Sequence, residues 1–258
     1  MSALLVFTRL FRCTTKDLVN KINAGSIDTV LTCIVDMQGR VMGKRFHAEA
    51  FLDIAKDETH CCDYLLATDL EMATPDGYAS TSWEHGYGDY VMRIQPDMST
   101  LRPVPWMEGT AMVLCDILDH HTHKPVSHSP REILKTQVRR AAALGLVPVM
   151  ATELEFFLFL GTHDEIARNG FNLQPISNYN EDYHVFQTAK EEPVMRPIRN
   201  CLRAMGIPVE GTKGEAEAGQ EELNIRYATA LATADHHTLA KQAVKEIAHQ
   251  AGYAGSRS

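Results

Sequence analysis

Residues 152–159 read Thr-Glu-Leu-Glu-Phe-Phe-Leu-Phe and place two acids inside an apolar, strand-like run. Side chains alternate across a β-strand, so Glu153 and Glu155 point to the same side, about 7 Å apart along the strand. Phe157 and Phe159 share the parity of the two acids, and an unpaired carboxylate is costly to bury. The run therefore predicts that both acids meet cations, which are either Lys and Arg side chains or divalent metal ions.

A second acidic cluster follows about sixty residues later in the chain. Its members are Glu210, Glu215, Glu217, Glu221 and Glu222. Gly214 and Gly219 interrupt any continuous helix here, which predicts a bent loop or an irregular strand. Carboxylate oxygens are the ligands that Mg²⁺ and Mn²⁺ prefer, so the two clusters together suit a paired-metal site that binds polyphosphate. A solvated acidic loop is the alternative, and Glu217 and Glu221 either tune metal affinity or are solvated.

The chain divides into two regions with different patterns. Residues 15–119 are strand-like with frequent turns and predict one domain, and residues 126–258 predict a second. The joint at 119–125 contains three histidines in four residues. No carboxylate or cysteine with defined spacing accompanies them, so a solvated loop is predicted there, with a metal site as the alternative.

Capping signals predict three helices. Thr15 is expected to cap a short helix that ends at Asn23, and Ser129, followed by proline and then Glu132, is expected to cap a helix that ends at Gly145. An apolar stripe predicts a last helix from about Asp235. Alternating or β-rich patterns predict strands at 29–35, 40–46, 109–118 and 147–160.

Composition excludes several functional classes. The chain has 258 residues, of which 45% are hydrophobic and 22% are charged, as in an ordinary globular protein. Its formal net charge of −8 argues against a nucleic-acid or anionic-membrane surface, and no run approaches the roughly 20 apolar residues of a membrane helix. We therefore expect no nucleic-acid partner, no membrane partner and a cytoplasmic location.

Cysteine usage agrees with this expectation. None of the six cysteines forms a C-x-x-C pair, so we expect reduced, buried side chains rather than disulfides. The N-terminal stretch that contains Arg9 and Arg12 is interpreted as a ragged leader, and a mitochondrial presequence is the alternative.

Four segments, in the right order, resemble the glutamine synthetase family. The run from Glu153 to Phe159 resembles the E-x-E-F-F-L-F strand of that family, and the segment from Glu215 to Glu222 is similar to its E-x-x-x-G-Q-x-E segment. Ser-Pro-Arg at 129–131 resembles the start of its catalytic domain. Residues 90–97 and 106–116 resemble the end of its N-terminal domain. The resemblance covers roughly 15–253.

The resemblance implies an α+β fold. An N-terminal β-grasp domain (15–119) would be followed by the first part of an antiparallel, barrel-like catalytic domain with flanking helices (126–258). It also implies ATP-dependent ligation of the γ-carboxylate of glutamate to ammonia or an amine, through γ-glutamyl phosphate, with Mg²⁺ or Mn²⁺ as cofactor. Relatives form homo-oligomeric rings.

The resemblance also implies a role for each residue that matches a family motif. Glu155, Glu215 and Glu222 would hold one divalent ion, and Glu153 would contribute to a second. Glu210 would contact the nucleotide, and Tyr227 would lie near the adenine. Asp36 would be the aspartate that one subunit contributes to the ammonium site of its neighbour.

The chain departs from the family pattern in two ways. Ala218 stands where many relatives have proline, which is a mild difference. The N-G-S-G-x-H loop and the later substrate-binding arginines of the family have no match, which predicts a C-terminally truncated form. Two alternatives stay open: a non-catalytic structural or binding protein derived from the fold, and a metal-dependent hydrolase with a carboxylate pair.

Overall fold

The computed structural model describes residues 14–84, 86, 88–93 and 97–256, without the side chains of Met92 and Arg93. The predicted N-terminal leader and positions 94–96 of the family-like segment 90–97 therefore lie outside the described residues. The chain folds into two compact units, the first ending at Val147 and the second beginning at Pro148. The domain limits expected from the sequence, 15–119 and 126–258, stay a prediction.

The first unit contains two β-sheets. One has the strand order β2-β1-β6-β5, in which β1 runs parallel to β6 and antiparallel to β2, and the other has the order β3-β4-β7. The strands are β1 (Thr29–Val35), β2 (Val41–His47), β3 (Glu58–Cys62), β4 (Asp89–Arg93), β5 (Arg102–Pro103), β6 (Thr110–Leu114) and β7 (Asp116–Asp119). The expected strand over 109–118 is thus divided between two sheets.

Helices and helical turns precede, connect and follow these strands. They are α1 (Thr15–Asn23), α2 (Ala48–Ala50), the π-helical turn Phe51–Ala55, the 3₁₀ turns Asp63–Leu66 and Asp97–Thr100, and α3 (Pro130–Ala143). Thr14, rather than Thr15, caps α1, through a reciprocal capping box with Asp17. Ser129 occupies the N-cap position of α3, but its hydroxyl makes no capping hydrogen bond to the described backbone.

A single apolar core holds the first unit together. Val30 and Ile34 of β1 pack in it with Leu18 of α1 and with Phe51, and all four side chains are buried. The segment 119–125 turns back on itself, with the Asp119 amide donating to the Lys124 carbonyl, and its three histidines are exposed. This observation fits the predicted solvated loop.

The second unit is built on one antiparallel sheet of four strands in the order β10-β11-β9-β13. A two-strand ladder pairs β8 with β12. The strands are β8 (Val149–Met150), β9 (Glu153–Leu160), β10 (Val209–Gly214), β11 (Gln220–Ile225), β12 (Ala228–Thr229) and β13 (Tyr253–Gly255). The helices are α4 (His163–Arg168), α5 (Val185–Thr188), α6 (Glu192–Ala204) and α7 (Ala230–Gln250).

The two faces of this sheet have opposite character. Leu154, Phe156 and Leu158 of β9 are buried, whereas Glu153 and Glu155 are exposed. Helices α6 and α7 contact each other, and they contact β10 and β13 respectively. One face therefore belongs to the core, and the acids of β9 lie on the other.

The structure confirms the α+β class and corrects several details. The described sheets are open, so a closed barrel is not formed in the part of the chain that the structure describes. The expected strand over 147–160 is interrupted before Glu153, and the last helix begins at Ala230 rather than near Asp235. Helix α6 has no counterpart among the sequence predictions.

Two further findings concern the cysteines and the helices. The five cysteines among the described residues are all free thiols. Over the same residues, no helix combines the length and the apolar character needed to cross a membrane.

Candidate metal and nucleotide site

Strand register determines which side chains share the polar face of the second sheet. Glu222 of β11 lies opposite Glu155 of β9, and Asn224 lies opposite Glu153. Directly opposite residues in an antiparallel ladder project to the same face. The side-chain amide of Gln220 donates to Glu155 Oε2 over 2.8 Å. This face therefore carries acids and amides from two adjacent strands.

Three of the four expected metal ligands converge at one point. Glu153, Glu155 and Glu215 each offer a carboxylate oxygen, and these oxygens lie within 4.8 Å of one another. Glu215 reaches them because Gly219 adopts a positive φ of 72° in the turn that joins β10 to β11, and the Glu215 amide donates to the Gln220 carbonyl. Three hard oxygen donors at this spacing fit a cation of the Mg²⁺ or Mn²⁺ type.

Glu222, the fourth expected ligand, is buried beside this group. One of its carboxylate oxygens accepts a hydrogen bond from the side-chain amide of Asn224, and the other lies 3.2 Å from Lys213 Nζ. Glu222 shares its face with Glu155, but its oxygens are engaged by these two neighbours. It stands next to the trio of carboxylates rather than within it.

Lys213 lies among these acids, and the sequence prediction did not include it. Its ammonium forms an ion pair with Glu215, lies 3.6 Å from Asp182 Oδ1, and stands 4.5 Å from the centre of the Tyr183 ring. The hydrogen bond to Glu215 raises the pKa of Lys213. The period-two spacing of Lys213 and Glu215 was a signal in the sequence that could have placed them on one face.

The two expected nucleotide-binding residues lie at the other end of the β10–β11 pair. Glu210 is exposed at the bulge where the register shifts between Val209 and Gly211. Tyr227 follows β11, is half exposed, and has the Arg226 guanidinium 5.7 Å from its ring centre. A bulge re-aims a side chain, so Glu210 leaves the regular alternation of its strand.

Asp36 belongs to the first unit and shapes the turn between β1 and β2. Its Oδ1 accepts hydrogen bonds from the backbone amides of Gln38 and Arg40, over 3.0 and 2.8 Å. Its Oδ2 pairs with Arg40 Nε at 2.5 Å. The carboxylate is buried, so the geometry shows a turn-forming role, and the ammonium-site role stays a prediction.

Glu217 and Glu221, which were expected either to tune metal affinity or to be solvated, differ in their exposure to solvent. Glu217 is exposed in the β10–β11 turn, as a solvated residue would be. Glu221 is 1% exposed, so the solvated interpretation is wrong for it. The reason is strand alternation, because Glu221 immediately precedes Glu222 on β11 and therefore points to the opposite, buried face.

Comparison with known proteins shows the class to which this fold and this face belong. The family model described as the glutamine synthetase catalytic domain matches residues 127–256. The chain belongs to the glutamine synthetase family. Members of this family generally use ATP and divalent metal ions, and the oxygen-rich face of the second sheet is compatible with that chemistry.

Two curated relatives match nearly the whole chain. The γ-glutamylethanolamide synthetase GlnA4 of Streptomyces coelicolor is 47% identical over 231 residues, which are 89% of this chain and 49% of the relative. The glutamate–isopropylamine ligase of a Pseudomonas species is 35% identical over 239 residues, which are 92% of this chain and 51% of the relative. The chain thus spans about half the length of these relatives.

Solved structures support the fold. GmaS in complex with ADP gives a TM-score of 0.73 at 24% identity, covering 93% of this chain and 51% of GmaS. GmaS without ligand gives 0.74 at 24% identity, covering 94% of this chain and 52% of GmaS. The similarity extends over both compact units.

Proposed function

We propose that this chain carries part of an ATP-dependent ligase that joins the γ-carboxylate of glutamate to an amine through γ-glutamyl phosphate. The observation that carries the proposal is the convergence of Glu153, Glu155 and Glu215 on the polar face of a glutamine synthetase-type sheet. A bound divalent ion would neutralise the phosphates of ATP and favour attack by the glutamate carboxylate on the γ-phosphate.

The proposal gives each of the four expected metal ligands a task. Glu155, Glu215 and Glu222 hold one ion of the Mg²⁺ or Mn²⁺ type, and Glu153 contributes to a second. For Glu222 to serve as a ligand, Lys213 must give up its ion pair with it, so the divalent ion takes over the charge balance that Lys213 supplies without it. The carboxylates would fix the positions of the metal ions, which balance the charge of the phosphates. Positioning and electrostatic stabilisation supply most of the catalysis of phosphoryl transfer.

The nucleotide and amine contacts extend the proposal beyond the carboxylates. Glu210 contacts the nucleotide, and Tyr227, half exposed beyond β11, offers its ring to the adenine. Asp36 takes part in the ammonium site of a neighbouring subunit in a homo-oligomeric ring. An amine must lose a proton before it attacks the acyl phosphate, and a nearby aspartate stabilises its cationic form until then.

The proposed acceptor is a small primary alkylamine rather than ammonia alone. One of the two relatives described above is named for a γ-glutamylethanolamide product, and the other is named for joining glutamate to isopropylamine. We further propose that the mixed sheet β2-β1-β6-β5 is the β-grasp domain, because its central parallel pair is flanked by antiparallel neighbours. The cytoplasm is the proposed location.

Phosphate release tests the function directly. The chain is incubated with ATP, Mg²⁺ or Mn²⁺, glutamate, and ethanolamine, isopropylamine or ammonia in turn. Release that requires both glutamate and an amine, and that is lost in Glu155→Gln, supports the ligase. Binding of ATP and Mn²⁺ without any amine-dependent release contradicts it and favours a non-catalytic binding protein.

A further inference from the structure

A second group of three carboxylates lies on the core side of the second sheet. Glu181 comes from the loop before α5, Glu191 immediately precedes α6, and Glu221 belongs to β11. Each offers a carboxylate oxygen, and these oxygens lie within 4.8 Å of one another. Their exposed fractions are 0%, 1% and 1%, so the group, here called the inner triad, is shielded from water.

Most oxygens of the inner triad receive no hydrogen bond from the described residues. Both oxygens of Glu191, Oε2 of Glu181 and Oε1 of Glu221 have no donor among them. The Gly219 amide donates to Glu181 Oε1 over 2.8 Å. Buried carboxylates are ordinarily paired or bound to a metal, because an isolated buried charge is far more costly than a buried polar group.

The neighbouring cation does not satisfy the triad. The Arg199 guanidinium donates to both oxygens of Glu192 at 2.7 Å and to Thr212 Oγ1 at 2.8 Å, and it acts on Glu221 only through its field. The N-terminus of α6 beside Glu191 supplies about 0.3–1 kcal/mol to one anion. Several kcal/mol per buried ion are needed, so this stabilisation is too small for three carboxylates.

The close approach of the three acids shows in the proton affinity of Glu191. Burial raises the pKa of Glu191 far above its usual range, and hydrogen bonding to Glu221 and Glu181, followed by repulsion from their charges, raises it further. Three acids held together in this way require either bound protons or a bound cation to balance their charge. Bound protons would join the carboxylates in pairs through Glu191, whereas one cation would contact all three side chains at once.

We propose that Glu181, Glu191 and Glu221 form a buried binding site for one hard divalent cation, separate from the polar face that carries Glu153 and Glu155. Two oxygens that share an ion can be no further apart than twice the metal–oxygen distance. That distance is about 2.3–2.6 Å for Ca²⁺ and about 2.0–2.1 Å for Mg²⁺. Oxygens that all lie within 4.8 Å of one another are therefore close enough to share one such ion.

The location gives the site a structural task. It joins the loop that carries Glu181 and the nearby start of α6 to the central strand β11, which comes later in the sequence. Gly214 of β10 lies against the same loop, where an added Cβ would meet the Glu181 carbonyl oxygen at 2.6 Å. An ion that links these elements stabilises the folded chain in proportion to its occupancy, because it does not bind the unfolded chain in the same way.

Calorimetric titration with CaCl₂ and MnCl₂ tests the proposal on the full chain after chelator treatment. We expect at least two classes of site, and Glu191→Gln is expected to remove or weaken one class at least tenfold while leaving the polar-face class intact. Glu155→Gln is expected to do the converse. Glu217→Gln, an exposed change in the β10–β11 turn, serves as the matched control and should alter neither class.

A second measurement keeps the test decisive if Glu191→Gln does not fold. Glu181→Gln retains an oxygen that accepts from the Gly219 amide, and it should lose the same class of site together with the rise in Tm caused by Ca²⁺. Unchanged stoichiometry and affinity in Glu191→Gln, or in Glu181→Gln, would show that the inner triad holds protons instead, and the proposal would be overturned. Loss of the polar-face class alone would bear on the proposed ligase and not on this site.

Discussion

Lys213 of β10 lies opposite Glu222 of β11, with its Nζ 3.2 Å from Glu222 Oε2 and in an ion pair with Glu215. One flexible cation therefore neutralises two of the acids that are expected to hold a divalent ion. A lysine ammonium and a metal ion cannot both have full use of the same carboxylate oxygens, so the two compete.

Replacing Lys213 with methionine should tighten divalent-cation binding and destabilise the metal-free chain. We expect Mn²⁺ affinity to rise about tenfold, equivalent to about 1.4 kcal/mol, because the competitor is gone. The metal-free chain should lose about 1–3 kcal/mol, because buried Glu222 is left without its cation. Titration calorimetry and urea unfolding measure the two effects. Lys190→Met is the control, and equal Mn²⁺ affinity in both variants would contradict the competition.

Replacing Glu155 with glutamine should weaken Mn²⁺ binding at the polar face by at least about tenfold. The amide keeps the size of the side chain but removes the charge that a hard cation requires. The chain should remain folded, because Glu155 is exposed. Binding isotherms for this variant and for Glu217→Gln are compared, and a wild-type isotherm for Glu155→Gln would exclude Glu155 as a ligand.

Arg131 is expected to be a major source of stability in the first unit. It is buried, and its Nη1 contacts Asp97 Oδ2 at 2.7 Å and Asp116 Oδ1 at 2.8 Å. Arg131→Met should cost about 3–5 kcal/mol, because the buried carboxylate of Asp97 and the partly buried carboxylate of Asp116 lose the guanidinium that they share and keep their contacts with Lys135.

A matched change on the same helix isolates the effect of burial. Arg139 is also on α3 and pairs with Glu132, but its side chain is 60% exposed. Arg139→Met should cost no more than about 1 kcal/mol. Chemical unfolding of both variants provides the comparison, and similar losses in the two would show that burial is not what makes the Arg131 cluster important.

Gly214 and Gly211 of β10 offer a test of close packing. An added Cβ at Gly214 would meet the Glu181 carbonyl oxygen and Thr188 Cγ2, each at 2.6 Å, whereas at Gly211 it would meet nothing within 4 Å. Gly214→Ala should therefore destabilise the chain by about 1–3 kcal/mol, and Gly211→Ala should be close to neutral. Thermal unfolding decides, and equal Tm values for the two variants would show that the loop moves aside without cost.

Local signals predicted much of the fold. The alternation and turn residues around β1 and β2 placed both strands within one residue of their observed limits. The first helix was also predicted, although its N-cap is Thr14 and not the expected Thr15. Helix α6 was not predicted, although it is strongly amphipathic. Pro193 lies in the first turn, where proline is tolerated, but Pro197 argues against a helix interior. Burial of Ile198 and Leu202 stabilises the helix nonetheless.

The candidate site was predictable only in part. Alternation predicted that Glu153 and Glu155 share a face, and the family resemblance added Glu215 and Glu222. Lys213 was missed because its role depends on the register between β10 and β11, and register is a property of pairing rather than of one strand. The inner triad was missed for the same reason, because Glu181 and Glu191 meet Glu221 only after α6 packs onto the sheet.

The amino-acid order alone determined the faces of individual strands and the presence of an oxygen-rich group, because these follow from period-two spacing and residue chemistry. The α+β class was predicted from the resemblance of several segments to the glutamine synthetase family. Tertiary structure decided which acids meet. It gathered Glu153, Glu155 and Glu215 on one side of a sheet, engaged Glu222 with Lys213, and buried Glu221 on the other side. Contacts between residues distant in sequence depend on strand pairing and helix packing, and neither is encoded in any single segment.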